Sequence, residues 1–419
     1  MKTKYALTIK SGVILIILAA FFTVSCQQEV QAPTETNLSP SVQSQALTLS
    51  ENGLTCIEGT DENGALYRIC MPDEWNGDLV VFAHGYVAPY KPVELPDTEL
   101  DDGRTMEEVF GEMGYASAIS SYRDNGLVVP EAVIDLVNLV FIFKSYYPHV
   151  KHIYLIGGSE GGLVTVKSLE TKKLYDGGLA LCGPIGSFAK QLNYFGDFKL
   201  VFDYFFPGIL PGSPAGIPQE VMDNWDSVYM PAILEAITND PVSLAQVISV
   251  TRAPVDPNDI ESVAYTTLAV LWYNVFATND AIERLGGLAF DNSSRYYRGS
   301  LNDAALNKNI PRYSADPQAL QTLNEKFETS GIPNGPMVTM HTALDPIVPY
   351  WHEPLYRKKF NDGGLPKGFL THFPVMRYGH CNFTAEELMK AFALLVLKVE
   401  GRELIAPIVT GKIPDKLFQ

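Results

Sequence analysis

One stretch of the sequence limits the fold more than any other. Residues 152–156, His-Ile-Tyr-Leu-Ile, run straight into Gly157-Gly158-Ser159-Glu160-Gly161-Gly162, and residues 163–171 continue with helical character. A short apolar run, a glycine-rich turn and a helix in that order put Ser159 on a sharp strand-to-helix turn. The spacing Gly157-x-Ser159-x-Gly161 suits such a turn, because the start of the helix passes so close to neighbouring backbone that only small residues fit. A glycine-rich loop that merely joined a strand to a helix would not need the serine.

The rest of the chain supplies a sheet for that strand. Residues 54–57 and 65–71 flank the turn-rich segment Glu58-Gly59-Thr60-Asp61-Glu62-Asn63-Gly64 and are expected to form a hairpin. Residues 78–83 are a largely apolar run ending at His84-Gly85-Tyr86, as in a strand buried on both faces. Residues 106–113 have helical character and 115–119 and 178–182 look like further buried strands. Pro130 suits the first turn of a helix whose Val133, Leu136, Val137, Val140 and Phe141 share one face. Strands alternating with helices at this spacing predict an α/β fold, a mostly parallel sheet wrapped on both faces.

The alternation stops between residues 185 and 335, where helices, proline-rich turns and aromatics such as Phe205, Phe206 and Trp272 predominate. It resumes with strands near 337–341 and 369–373 and helices near 353–360 and 384–398. The expected organisation is one core, residues 51–184 and 336–419, interrupted by a mainly helical cap, residues 185–335. The cap aromatics either form its own interior or line a substrate pocket. No repeat of twenty to fifty residues is present, which disfavours a solenoid or propeller.

Serine is a poor nucleophile at neutral pH, so a base must take its proton and an acid must hold that base in the right tautomer. Of the seven histidines, only His380, in Arg377-Tyr378-Gly379-His380-Cys381, follows the terminal strand and precedes a C-terminal helix. His352 and His372 are the alternatives. Asp345, in Leu344-Asp345-Pro346-Ile347-Val348-Pro349, follows a strand and lies between the serine and the histidine. An Asp-Pro pair is also a common turn, but the chain order Ser, Asp, His favours the acid.

The N-terminus carries Lys2, Lys4 and Lys10, an apolar run over 12–22 and then Thr23-Val24-Ser25-Cys26. This is the pattern of an export signal, residues 1–26, with an apolar segment too short to span comfortably. A cysteine after small residues resembles the lipobox of bacterial lipoproteins, although Thr23 stands where leucine is usual. Cys26 would then be lipidated and hold the exported protein on a membrane of the cell envelope; plain secretion or an uncleaved membrane anchor is the alternative. Residues 27–50, rich in Gln, Ser, Thr and Pro, suit a flexible tether. The net charge of −17, or −20 once the three leader lysines are removed, argues against nucleic acid as a partner. With Cys26 lipidated, Cys56, Cys70, Cys182 and Cys381 are an even set in an oxidising compartment, with three possible pairings. Histidines and carboxylates lack close ligand spacing and there is no Cys-x-x-Cys pair, so neither a metal nor an organic cofactor is expected.

The elbow around Ser159, the Asp-x-x-Val-Pro segment from Asp345 to Pro349 and the pair Gly379-His380 match three motif positions of one family, in its order. Over residues 65–400 the chain resembles the α/β-hydrolase superfamily, with the cap as a family-variable region. That resemblance implies a serine hydrolase with Ser159 as nucleophile, Asp345 as acid and His380 as base. It also implies an oxyanion hole made by the backbone N–H groups of Glu160 and Tyr86, with Gly85 as alternative to Tyr86, and a supporting role for His84 in that loop. Glu160 departs from the many relatives with an uncharged residue there; its side chain is expected in solvent or an ion pair, or else on a substrate ammonium.

The implied substrate is a small-molecule or polymeric carboxylic ester, cleaved through an acyl-enzyme. A serine peptidase of the same fold and a non-catalytic binding protein are the alternatives. The expected bridges are Cys56–Cys70, across the hairpin, and Cys182–Cys381, tying the histidine loop to the sheet. Tannase and fungal-type feruloyl-esterase relatives resemble the chain in that second bridge, although they tether the residue beside the nucleophile, which here is Gly158.

Overall fold

The computed structural model describes residues 47–51 and 53–401; the expected leader, Cys26 and residues 27–46 of the expected tether lie outside them. In chain order the first part comprises β1 (Leu47–Glu51), β2 (Leu54–Thr60), β3 (Leu66–Pro72), β4 (Leu79–Ala83), α1 (Met106–Glu112), β5 (Ala116–Ser120), α2 (Val129–Tyr146), β6 (Ile153–Gly158), α3 (Glu160–Thr171) and β7 (Gly177–Leu181). A helical insertion follows. The chain then returns through β8 (Met337–Leu344), a helix over His352–Asp362, β9 (Leu370–Tyr378) and a helix over Ala385–Val399.

Among the described residues, nine strands join in one sheet of order β1-β2-β3-β5-β4-β6-β7-β8-β9. The pairs from β1 to β5 are antiparallel, and those from β5 through β4, β6, β7 and β8 to β9 are parallel. The chain steps from β4 outward to β5 on one side and returns to β6 on the other, so the strand order reverses at β4. In open parallel sheets the crevice beyond the carboxyl ends of the strands at such a reversal is where ligands bind. Here those ends are His84-Gly85 after β4 and Ser159 after β6.

The period-two pattern of the central strands builds two apolar layers. Leu79, Val81 and Ala83 of β4 and Ile153 and Leu155 of β6 face α2 and α3, where Leu136, Val140, Val164 and Leu169 are buried with them. Val80 of β4 and Tyr154 and Ile156 of β6 face the other way, against Met106 and Phe110 of α1 and Leu388, Phe392 and Leu395 of the C-terminal helix.

The insertion contains α4 (Phe188–Phe205), α5 (Gln219–Asp223), a π-helical turn over Trp225–Tyr229, α6 (Met230–Asn239), α7 (Pro241–Thr251), α8 (Glu261–Leu285), α9 (Asp303–Asn309) and α10 (Pro317–Lys326); the two helices after β8 are α11 (His352–Asp362) and α12 (Ala385–Val399). Phe198, Phe202, Phe206, Val221, Ile233, Val247 and Val270 give the insertion an interior of its own. Its far end merges with the main core, because Ala281 and Leu285 of α8 and Ala319 and Leu323 of α10 are buried among the residues of α2 and α3. Asp280 also accepts the Leu127 N–H at 2.6 Å, and Arg284 bridges Asp280 and Asp124 at 2.7 and 2.8 Å. Among the described residues no helix is long and apolar enough to cross a membrane.

Two elements differ from expectation. The last residues of the expected tether are β1, which pairs with β2 in register Leu47 to Glu58 through Glu51 to Leu54. The segment is short and follows a Gln/Ser-rich stretch, so the two alternating leucines Leu47 and Leu49 read as part of the tether, yet the edge of β2 pairs with it. β9 runs to Tyr378, past Pro374. Proline is tolerated because β9 pairs on one side only, with β8.

Gly161, in the first turn of α3, has no room for a side chain, because a Cβ would collide with the backbone carbonyl groups of Ala83 and His84 at the end of β4. Gly161→Ala is therefore expected to destabilise the protein by about 3 kcal/mol, read as a lower urea midpoint. An unchanged midpoint would show that α3 can retreat from β4 without cost.

Candidate active site

The strand-turn-helix at β6 and α3 holds Ser159 in a backbone conformation that non-glycine residues seldom adopt, with φ 57° and ψ −122°. That geometry lifts the side chain out of the path of both elements and up at the carboxyl edge of the sheet. The Ser159 hydroxyl donates to His380 Nε2 at 2.8 Å, and His380 Nδ1–H donates to Asp345 Oδ2, also at 2.8 Å. The chain thus brings together from three distant segments the three residues picked out in the sequence.

Each partner is fixed by its own surroundings. Asp345 closes β8, is fully buried, and receives the Ile347 and Val348 N–H groups on Oδ1 at 2.9 and 3.0 Å, leaving Oδ2 for the imidazole. Burial would push this carboxyl up, but the charges and hydrogen bonds of His380 and His341 outweigh it and hold it at about 2. The loop that carries Asp345 is braced by the insertion: Tyr194 donates to Pro346 O at 2.7 Å and Gln191 to Ile347 O at 2.8 Å, both from α4. His380 lies just past β9, where the Gly379 N–H donates to Leu344 O at 3.2 Å and the Thr342 hydroxyl donates to Gly379 O at 2.5 Å.

Both expected disulfides form, Cys56–Cys70 across the β2–β3 pair and Cys182–Cys381 between the end of β7 and the residue after His380. Cys381 Sγ lies 3.7 Å from His380 Nε2, and it would be 4.0 Å from a Cβ placed on Gly158. The second bridge therefore runs beside Gly158 and His380 even though its anchor follows the next strand. Cys182, His380 and Cys381 are also a close group of metal-ligand residue types, but both sulfurs are committed to the disulfide.

The loop after β4 passes directly over the serine. A Cβ on Gly85 would come within 3.2 Å of Ser159 Cβ and 3.3 Å of Gly158 O. His84 is buried and neutral, its affinity for a second proton lowered by burial; it stacks on Tyr122 with ring centroids 3.9 Å apart, and Nδ1–H donates to Gly85 O at 2.7 Å. Among the described residues, neither the Tyr86 nor the Glu160 main-chain N–H has an acceptor in the protein. Glu160 begins α3, where the first amides of a helix have no partner within it. The Tyr86 side chain points away to the insertion: its hydroxyl donates to Phe276 O at 2.9 Å and its ring meets Trp272 and Tyr273 at 6.4 and 6.0 Å between centroids. Trp272 and Tyr273 of α8 thus pack on the residue that follows Gly85. Phe206 stacks on Phe202 inside the insertion, and Phe205 meets Tyr204.

The Glu160 side chain corrects the sequence reading. It is neither in solvent nor in an ion pair but buried, 5% exposed, with Oε1 accepting the Val128 N–H at 2.9 Å. Burial, reinforced by the nearby Asp280 charge, raises its carboxyl well above the ordinary glutamate value. The local sequence could not reveal this, because the partner that turns the carboxyl inward lies 32 residues away. Of the alternative bases, His352 is buried with Nδ1 accepting from Gly186 N and Nε2 donating to Gln191, while His372 Nδ1 contacts Glu353 and Thr339. Neither meets Ser159.

A mostly parallel sheet whose order reverses at β4, a serine on the turn after β6 with left-handed φ, and the carboxylate and imidazole after the last two strands decide the architecture. The chain has the α/β-hydrolase fold. No family model and no curated protein sequence matches it. Among solved structures, feruloyl esterase B from Aspergillus oryzae is similar at 15% identity and a TM-score of 0.46, over 85% of each chain. Candida antarctica lipase A is similar at 15% identity and a TM-score of 0.44, over 88% of this chain and 84% of its own. An acylaminoacyl peptidase from Pyrococcus horikoshii is similar at 12% identity and a TM-score of 0.41, over 89% of this chain and 44% of its own. The chain thus spans less than half the length of the acylaminoacyl peptidases it matches.

Glu160 generates a test with a definite sign. Its folded-state value is raised, so at pH above the ordinary 4.5 the folded protein holds a proton that the unfolded chain releases, and stability falls as pH rises from there. Glu160→Gln keeps the acceptor for Val128 N and removes the titration. Its thermal midpoint relative to wild type should rise between pH 5 and pH 8; a constant difference across that range would mean that Glu160 is ionised in the folded protein.

Proposed function

We propose that this chain is a serine hydrolase that cleaves carboxylic esters through an acyl-enzyme on Ser159. The observation that carries the reading is the unbroken hydrogen-bond chain Ser159–His380–Asp345, both links 2.8 Å, with the serine on a strained turn. As Ser159 Oγ attacks the substrate carbonyl, its proton passes to His380 Nε2, and Asp345 stabilises the imidazolium so formed. The Glu160 and Tyr86 N–H groups receive the negative charge on the carbonyl oxygen, each contributing on the order of 3 kcal/mol in such sites. Collapse returns the His380 proton to the leaving alcohol, and water repeats the sequence to release the acid.

Ester is favoured over an amino-terminal peptide substrate by Glu160, whose buried carboxyl is occupied by the Val128 N–H and is unavailable to a substrate ammonium. Trp272 and Tyr273, packed against Tyr86, are proposed to border the acyl or alcohol subsite. We further propose that the protein is exported, cleaved before Cys26 and held on a membrane by lipid at that residue, with a small-molecule or polymeric ester as substrate.

The test is a panel of p-nitrophenyl esters and aminoacyl p-nitroanilides. Wild type is expected to hydrolyse esters, and Ser159→Ala and His380→Ala to lower kcat/KM about 10⁴-fold while folding normally, with Asp345→Asn equal or milder. Trp272→Ala should alter chain-length preference more than acetate turnover. Ester hydrolysis retained by Ser159→Ala, or a preference for the anilides, would overturn the reading.

A further inference from the structure

Asp345 is shared by two histidines, and only one of them has a place in the reaction just described. On the side away from His380, His341 of β8 lies with Nε2 3.5 Å from Asp345 Oδ2 and 2.7 Å from Val348 O. Its Nδ1 is 3.2 Å from Glu353 Oε1, at the start of α11, and the ring is 1% exposed. Every polar group facing this imidazole is an acceptor: a carbonyl and a carboxylate at Nε2 and a second carboxylate at Nδ1. The carbonyl can only accept, so Nε2 carries a hydrogen. Glu353 Oε2 already takes the Thr339 hydroxyl at 2.5 Å and contacts His372 Nδ1, which favours the ionised carboxylate and a hydrogen on His341 Nδ1 as well.

We propose, resting on the hydrolase reading, that His341 is a positioning residue of the triad: a permanently charged imidazolium that shares Asp345 Oδ2 with His380. It keeps the acid ionised and limits how tightly His380 holds a proton. Burial alone would strip His341 of its second proton, but the hydrogen bonds and charges of Asp345 and Glu353 raise it to about 10, and the same contacts hold Glu353 below the usual carboxylate range.

The phenols that face the pair from the other elements add no charge at neutral pH. Tyr194 of α4, Tyr273 of α8 and Tyr378 of β9 lie near Asp345, and Tyr350 meets the His341 ring edge-on at 5.8 Å; burial raises all four phenols. His352 of α11 is held neutral by burial and by the Gly186 and Ser187 N–H groups that donate to Nδ1. His372 of β9 contacts Glu353 on Oε2, the carboxylate oxygen that His341 does not use. A proton arriving on His380 therefore faces an aspartate already half engaged by a second cation.

The test uses the full chain and p-nitrophenyl acetate. His341→Gln can still donate to Val348 O but removes the charge, so the base should keep its proton to higher pH and the acidic limb of the kcat/KM profile should move up by about one pH unit. An unmoved limb would overturn the proposal, since a merely structural role lowers the rate without shifting it. Because the variant can fail to fold, the second measurement is on the wild type: with ¹⁵N-histidine labelling, His341 should show both ring N–H protons at pH 8, and a neutral ring with one would overturn the proposal without any substitution. Ser159→Ala separates the two readings. If it still hydrolyses the ester, the hydrolase reading fails while the His341 protonation result stands. If it is inactive and the His341→Gln limb is unmoved, only the His341 proposal fails.

Discussion

The close approach of α3 to the ends of β4 and β6 is the constraint on which the remaining features depend. With the helix starting this near the sheet, Ser159 must turn sharply, and its φ of 57° aims the hydroxyl away from both elements. The strain persists because the turn is hemmed in from every side: Gly85 crosses above it, the Gly161 backbone abuts the β4 carbonyls, and the Ser159 N–H is tied to Leu181 O of β7 at 2.9 Å. A single-residue outlier of this kind costs on the order of 1–3 kcal/mol, and the surrounding sheet supplies the compensation. The serine and the two unpaired amides then project into the same crevice, where strand order reverses.

Asp345 and His380 are held by a different device. Both follow neighbouring parallel strands, so the β8–β9 pairing sets the distance between Asp345 and His380. The Cys182–Cys381 bridge fastens the histidine loop to β7, and α4 fastens the acid loop through Tyr194 and Gln191. The insertion therefore does more than enclose its own interior, since removing α4 would release two backbone carbonyl contacts beside Asp345. Electrostatics completes the arrangement. The alternating line Asp345, His341 and Glu353 buries two carboxylates and an imidazole with each charge next to its opposite, the condition under which burial of ionised groups is tolerated.

Much of this was legible in the sequence, for identifiable reasons. The strand, Gly-x-Ser-x-Gly and helix around residue 159 are local, and the order Ser159, Asp345, His380 follows from which residues end strands. The pairing of Cys56 with Cys70 follows from the hairpin, in which the two are register partners. What escaped depended on contacts distant in sequence. Glu160 reads as a carboxylate in solvent, in an ion pair or on a substrate ammonium, and the Val128 N–H that it binds instead lies 32 residues away. β1 was hidden by a tether-like composition, and the length of β9 by Pro374, which only an edge strand tolerates. His341 read as one more histidine inside a strand, because nothing in its neighbourhood announces that α11 brings Glu353 back against it.

The assignment of Ser159 as the reacting group is tested most directly by covalent labelling. The full chain is treated with a fluorophosphonate and the modified peptide is mapped by mass spectrometry. The expected result is a single adduct on Ser159, formed by the wild type and suppressed in His380→Ala, because the hydroxyl reacts only when its proton has somewhere to go. A folded protein that takes no label, or takes it at another serine, or labels equally well without His380, would contradict the assignment.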